Sequence, residues 1–158
     1  RKFWLAQIEQ KAARLEIPVE ATVEFAAGTE DAVHLLHNIL VQLLRNTFAH
    51  GMQSPTERVA AGKSAEIQIG IISTLHRGGI TLCYSEDGRG FSMLSAGETV
   101  AFDTLLQKGL TAPRKSVTLE SGRGLGMEYI AATIHRLEGT GTISSENGLT
   151  TIRINLPG

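Results

Sequence analysis

The chain has 158 residues, of which 42% are hydrophobic and 20% are charged, and its formal net charge is −1 at pH 7. These values predict one globular domain over residues 1–158, and they argue against a nucleic-acid surface, which needs clustered basic residues. No apolar stretch is long enough to span a membrane, and the single cysteine, Cys83, excludes an internal disulfide.

The first third of the chain predicts two helices separated by a strand. Apolar residues near a 3.6-residue period predict a helix over 1–16, which Pro18 ends. The segment VEATVEF at 19–25 alternates as a half-buried strand does. Thr29 then reads as the N-cap of a long helix over 30–50. The inner stripe of this helix comprises Val33, Leu36, Leu40, Leu43 and Thr47.

The middle of the chain predicts a short helix, a hairpin and a long loop. The capping box SPTE at 54–57, with proline at the first helical position, predicts a helix that ends near Gly62. Apolar strands at 65–73 and 79–85 are joined by an Arg-Gly-Gly turn, which indicates a hairpin. The stretch 91–120 has no sustained period, and loops of this length are often functional lids.

The C-terminal part predicts a helix followed by a second hairpin. Apolar residues at helical spacing follow Gly124, and Gly139 reads as the stop of this helix. Two strands then meet at the turn Asn147–Gly148, and the last of them alternates apolar and polar residues. The complete order predicts an α+β fold, with a mixed, mainly antiparallel sheet and helices on one face.

Polar residues recur at four-residue steps along the long helix, opposite its leucine stripe. They are His34, Asn38, Gln42, Asn46 and His50, with Arg45 at the same end. One interpretation is a solvated helix face. Solvated faces usually prefer Glu and Lys, however, whereas short amides suit a site that binds hydrated Mg²⁺ and phosphates. The stripe alone leaves both interpretations open.

Two Gly-Arg-Gly turns occur in SEDGRG at 85–90 and in SGRGLG at 121–126. Glycine allows close approach of backbone to a ligand, and a glycine turn that opens a helix offers N–H groups to phosphate. The pair Glu86–Asp87 ends a strand just before the first turn, where a carboxylate could accept the exocyclic amine of adenine. The alternatives are two unrelated loops and an ordinary acidic turn.

Three segments together resemble the GHKL ATP-binding fold. LLRNTFAHG at 43–51 resembles its asparagine box, EDGRGF its first glycine box, and SGRGLGM its second. The segments SPTERVAAGKSAEIQI and GLTTIRINLPG closely resemble chemotaxis-type, CheA-like histidine kinases. The likeness runs from about Asp31 to the C-terminus. It implies a two-layer α/β sandwich that binds Mg-ATP under a mobile lid and transfers the γ-phosphate to a histidine elsewhere.

The resemblance also implies roles for individual residues. Asn46 matches the Mg²⁺ ligand, and with Gln42 it forms the expected catalytic pair. The adenine-reading position is Glu86. The remaining expected ATP-binding residues are Arg45 and His50 near the phosphates; Asp87, Gly88 and Gly90 at the first glycine box; Lys108, Arg114 and Lys115 in the lid region 91–120; and Gly122, Arg123, Gly124, Leu125 and Gly126 at the lid hinge and helix start.

Three positions depart from the family pattern. Glu86 stands where the family has aspartate, Ala49 replaces an aspartate after the asparagine box, and Gln42 stands where His or Glu is usual. A first alternative is therefore a degenerate GHKL module that acts in docking or regulation. A second is a GHKL hydrolase that uses ATP to drive a conformational change.

The resemblance implies partners as well. None of the five histidines is followed by the acidic residue typical of acceptor helices, so the acceptor is expected in another segment or chain, with a response regulator downstream. The full-length protein is expected to be a homodimer. Because the chain begins at Arg1 instead of Met, we expect a fragment of a longer protein, with 1–16 as the end of a connecting helix. We expect this domain to be cytoplasmic. Its parent could carry a membrane anchor.

Overall fold

The computed structural model describes residues 1–50, 52–89, 97–107 and 123–158. The elements in these ranges are, in chain order, α1 (Lys2–Arg14), β1 (Val19–Phe25), α2 (Glu30–Leu35), α3 (His37–His50), α4 (Pro55–Ala60), β2 (Ile67–His76), β3 (Gly79–Glu86), β4 (Glu98–Ala101), α5 (Phe102–Gln107), α6 (Arg123–Arg136), β5 (Thr140–Glu146) and β6 (Leu149–Pro157).

The strands form one sheet in the order β1-β2-β3-β6-β5-β4. The pair β1–β2 is parallel, whereas the other pairs are antiparallel. Two local hairpins, β2–β3 and β5–β6, therefore meet side by side at the β3–β6 pair in the centre of the sheet. The predicted α+β fold with a mixed, mainly antiparallel sheet is confirmed.

One face of the sheet is buried against helices, as alternation along the strands predicts. On β6, Ile152, Ile154 and Leu156 are buried while Arg153 is exposed. These side chains join those of α1, α3 and α6 in one hydrophobic cluster. No helix within the described ranges is long and apolar enough to cross a membrane.

The predicted long helix over 30–50 is wrong in one respect, because it is broken at Leu36 into α2 and α3. At the break Leu36 has φ and ψ of −91° and 7°, outside the helical range, and its side chain is buried while that of Leu35 is 57% exposed. Thr29 occupies the N-cap position but makes no side-chain cap. Its hydroxyl instead contacts the Ala26 carbonyl and the Ser73 hydroxyl, both at 2.6 Å.

The predicted hairpins and the short helix are confirmed. Asn147 and Gly148 have φ angles of 51° and 77°, the left-handed pair that a tight two-residue hairpin requires. The Ser54 hydroxyl accepts a hydrogen bond from the Glu57 N–H at 3.1 Å, and so caps α4 as predicted.

Two predictions in the second half need correction. The stretch 91–120 contains β4 and α5, so it is not a continuous loop: β4 pairs with β5 at the sheet edge, and Phe102 is 2% exposed in the core. Gly139 is not the residue that ends α6. The helix ends at Arg136, and Glu138 adopts the positive φ of 56°.

Candidate functional site

Two hydroxyl groups connect α3 to β3 at the candidate site. The Thr47 and Tyr84 hydroxyls lie 2.5 Å apart, and both side chains are buried. Asn46 immediately precedes Thr47, and Glu86 lies two residues after Tyr84 on the same buried face of β3. This bond therefore joins the helix that carries Asn46 to the strand that ends at Glu86, and these are two of the sequence-predicted segments.

Glu86 ends β3 as a buried carboxyl group, with 7% of the residue exposed. The Gly88 N–H donates to Glu86 Oε2 at 3.2 Å. Burial raises the pKa of Glu86 from its ordinary value of 4.5 to about 7, although this N–H group and the charges of Lys63 and Arg58 oppose the rise. The group can thus present either a carboxylate or a carboxylic acid near neutral pH.

Asp87 has a different environment from Glu86. Its Oδ1 accepts a hydrogen bond from the Gln68 N–H at 2.8 Å, and its Oδ2 lies 2.8 Å from Arg58 Nη2. Both carboxylate oxygens are therefore bonded within the protein. Glu86 differs from Asp87 in this respect. Its Oε1 accepts no hydrogen bond from the described residues.

Arg58 is a site residue that sequence reasoning missed. It is 0% exposed, whereas its neighbour Val59 is 61% exposed. The usual preference for burying apolar residues predicts the opposite orientation of α4. Arg58 lies in the segment TERVAAGK, which is part of the stretch that resembles CheA-like kinases. This segment has no local pattern that would indicate a buried arginine.

The polar stripe divides into two parts. His34, Asn38 and Arg45 are exposed, as on a solvated face. Gln42 and Asn46 are partly buried, and Gln42 Nε2 donates to Asn46 Oδ1 at 3.1 Å. An amide oxygen has two lone pairs, so Asn46 Oδ1 retains one for another ligand. His50 is the last residue of α3, and its side chain lies outside the described part of the chain.

The remaining predicted residues lie at or beyond the limits of the described ranges. Arg123, Gly124, Leu125 and Gly126 form the first turn of α6, a helix that packs beside α3. Gly90, Lys108, Arg114, Lys115 and Gly122 fall outside the described residues.

The residues present fit a magnesium ion only if other ligands complete its coordination. Among the described residues, no group of three or more His, Cys, Asp or Glu side chains could hold a metal. Mg²⁺ is commonly held by one or two protein oxygens together with substrate phosphates and water. The free lone pair of Asn46 Oδ1 matches that arrangement, and not an all-protein cage.

No family model matches the chain, but curated relatives do. The chemotaxis protein CheA of Klebsiella aerogenes is 32% identical over 170 aligned residues, which cover 95% of this chain and 26% of the relative. CheA of Salmonella typhimurium is 32% identical over 169 residues, with 95% and 25% covered. The chain therefore spans about a quarter of the length of these relatives.

The fold is shared with solved histidine kinase structures. The catalytic domain of histidine kinase ThkA superposes with a TM-score of 0.56 at 14% identity, over 96% of this chain and 86% of that chain. At 14% identity this superposition shows a shared fold only. The two CheA relatives, at 32% identity, are similar to this chain in sequence as well. The chain belongs to the family of CheA-like histidine kinase catalytic domains.

Proposed function

We propose that this domain binds Mg-ATP and transfers the γ-phosphate to a histidine in another segment or chain. The observation that carries the proposal is the contrast within the acidic pair. Asp87 is bonded on both carboxylate oxygens by protein groups, while Glu86 is buried with one oxygen left for a ligand. The acceptor at the end of β3 and the two partly buried amides lie on elements that the Thr47–Tyr84 bond joins, an arrangement that suits a nucleotide base at one end and its phosphates at the other.

Each side chain then has a distinct task. Glu86 Oε1 accepts the exocyclic amine of adenine, and its extra methylene relative to aspartate extends its reach. Asn46 Oδ1 binds the metal, which supplies charge neutralisation at the phosphates. Gln42 holds the Asn46 amide in one orientation through the 3.1 Å hydrogen bond. Catalysis by such a set depends on positioning more than on proton transfer.

A histidine acceptor suits this site better than water does. Water is a weak nucleophile that needs a base, and the amide of Gln42 cannot take up a proton at neutral pH. A neutral imidazole already has a free lone pair, since its unperturbed pKa is about 6.5. Gln42 therefore favours the kinase over the hydrolase. The acceptor domain, a downstream response regulator, a homodimeric full-length protein and a cytoplasmic location for this domain belong to the same proposal.

Replacement of Asn46 tests the metal site. We expect Mg²⁺ to tighten ATP binding to the wild type by about tenfold or more, and to have little effect on Asn46→Ala, because one inner ligand is lost. Asn38→Ala, on the exposed part of the same stripe, is the matched control. Isothermal titration with and without EDTA measures the effect. Equal Mg²⁺ dependence in both variants contradicts the role of Asn46, and no binding at millimolar Mg-ATP supports the degenerate module.

Replacement of Gln42 separates the kinase from the hydrolase. Wild-type phosphate release should be slow, well below about 1 s⁻¹. Gln42→Glu should accelerate it, because a carboxylate can activate water. Asn38→Asp adds the same charge to the exposed part of the stripe and should change nothing. Phosphate release and transfer to the parent protein's acceptor segment are measured in parallel. Fast hydrolysis by the wild type, at about 1 s⁻¹ or more, contradicts the hypothesis that the domain is a kinase.

A further inference from the structure

Two positively charged side chains, Arg58 and Lys63, donate hydrogen bonds to the first glycine turn. The guanidinium of Arg58 is fully buried and donates four hydrogen bonds. Nε bonds the Ser64 carbonyl at 2.8 Å, Nη1 the Asp87 carbonyl at 2.9 Å, and Nη2 both the Glu66 carbonyl at 3.0 Å and Asp87 Oδ2 at 2.8 Å. Arg58 thus joins α4 and the start of β2 to the turn after β3.

Lys63 adds a second set of contacts to the same turn. Its Nζ donates to the Asp87 carbonyl at 3.1 Å, to the Gly88 carbonyl at 2.8 Å and to Gln53 Oε1 at 3.3 Å. The Asp87 carbonyl therefore accepts from two positively charged groups. This carbonyl belongs to the Asp87–Gly88 peptide group, whose N–H, on Gly88, donates to Glu86 Oε2 at 3.2 Å.

The geometry of one peptide group links these contacts. A trans peptide is planar, so its C=O and N–H point in opposite directions, and the orientation of one determines that of the other. The two cations fix the Asp87 carbonyl and, through the plane, the direction of the Gly88 N–H. That N–H occupies Oε2 of Glu86 and leaves Oε1 for a ligand. Charged donors on the carbonyl also polarise the peptide and strengthen its N–H as a donor.

Holding the turn in place does not by itself require buried charge. The same two segments are also joined at the surface by Arg89 and Glu57, 3.2 Å apart with both side chains more than half exposed. Buried ion pairs are weak evidence for stability, since apolar side chains of similar volume often stabilise as well. What an apolar residue cannot do is fix the direction of a carbonyl.

We propose that Arg58 and Lys63 are positioning residues for base recognition, acting through the Asp87–Gly88 peptide to orient the carboxyl group of Glu86. The proposal rests on the proposed function, because it assigns Glu86 to the exocyclic amine of adenine. Neither cation needs to touch the nucleotide. They determine which carboxyl oxygen the base meets and in which direction its lone pairs point.

The test compares ATP with ITP, whose base carries an oxygen in place of the exocyclic amine. Wild type should prefer ATP. Lys63→Met should reduce the ratio of the two affinities by about tenfold, Lys63→Arg should restore most of it, and Glu57→Gln, at the exposed pair, should leave it unchanged. Equilibrium dissociation constants are measured for each variant, after circular dichroism has shown a native spectrum. An unchanged ratio in folded Lys63→Met overturns the proposal.

A second measurement needs no nucleotide. Loss of the Lys63 charge and of polarisation at Gly88 should raise the pKa of Glu86, followed by ¹³C NMR of its carboxyl carbon, in Lys63→Met but not in Glu57→Gln. If wild type binds no ATP, the proposed function fails, yet this titration still decides whether the cations act on Glu86. An unaltered Glu86 titration in Lys63→Met overturns the positioning role in either case.

Discussion

Asp87→Ala should lower the free energy of unfolding by about 3–5 kcal/mol, because it leaves the guanidinium of Arg58 buried without its counter-ion. Arg58 is 0% exposed, so water cannot solvate the charge unless the turn moves. The substitution also removes the acceptor of the Gln68 N–H. That hydrogen bond joins β2 to the residue that follows β3. Urea unfolding at pH 7 measures the loss.

Two controls separate this effect from a general weakening of the turn. Glu57→Gln removes the ion pair with Arg89, whose side chains are 55% and 56% exposed, and it should change stability little, as exposed pairs do. Asp87→Ala combined with Arg58→Met removes both members of the ion pair, including the buried charge, and should recover much of the lost stability. A small loss in the single variant would mean that Arg58 reaches solvent in solution.

The stability of the protein should fall as pH rises through 7, owing to Glu86. Burial raises the pKa of its carboxyl group from 4.5 in the unfolded chain to about 7 in the folded protein. Between these values the folded state binds more protons than the unfolded state, so ∂ΔG/∂pH of unfolding is negative. The contribution is complete below pH 4.5 and is lost as pH passes 7. Its size is roughly 3 kcal/mol.

The measurement is urea unfolding at several pH values between 4.5 and 8, for wild type and Glu86→Gln. The glutamine cannot titrate, so the difference between the two curves isolates this carboxyl group. We expect wild type to lose stability relative to the variant across the range. Parallel curves would show that Glu86 has the same pKa in the folded and unfolded states, as a solvated carboxyl group does.

Much of the fold follows from local patterns. Alternation on β6 and the Asn147–Gly148 turn determine a hairpin within a few residues of sequence, since both the period and the positive φ angles are local properties. The break at Leu36 is different. The apolar pattern is continuous there, and no local signal marks the departure of Leu36 from helical φ and ψ, which are −91° and 7°.

Elements that depend on distant partners were missed for the same reason. β4 has four residues and exists because it pairs with β5, more than forty positions later; α5 follows it and places Phe102 in the core. In the site, the sequence resemblance selected Glu86 over Asp87 as the base-reading position. The ion pair of Asp87 could not be predicted, because its partner is a buried arginine from another element.

The meeting of two hairpins at β3–β6 has a consequence for how the fold forms. Each hairpin closes a short loop, but the central pair joins strands that are far apart in the chain, and non-local pairings of this kind slow folding. The entropy cost of the connection grows only logarithmically, by about 0.6 kcal/mol for each doubling of its length. Segments inserted between the hairpins can therefore vary widely in length without changing the sheet that supports Glu86.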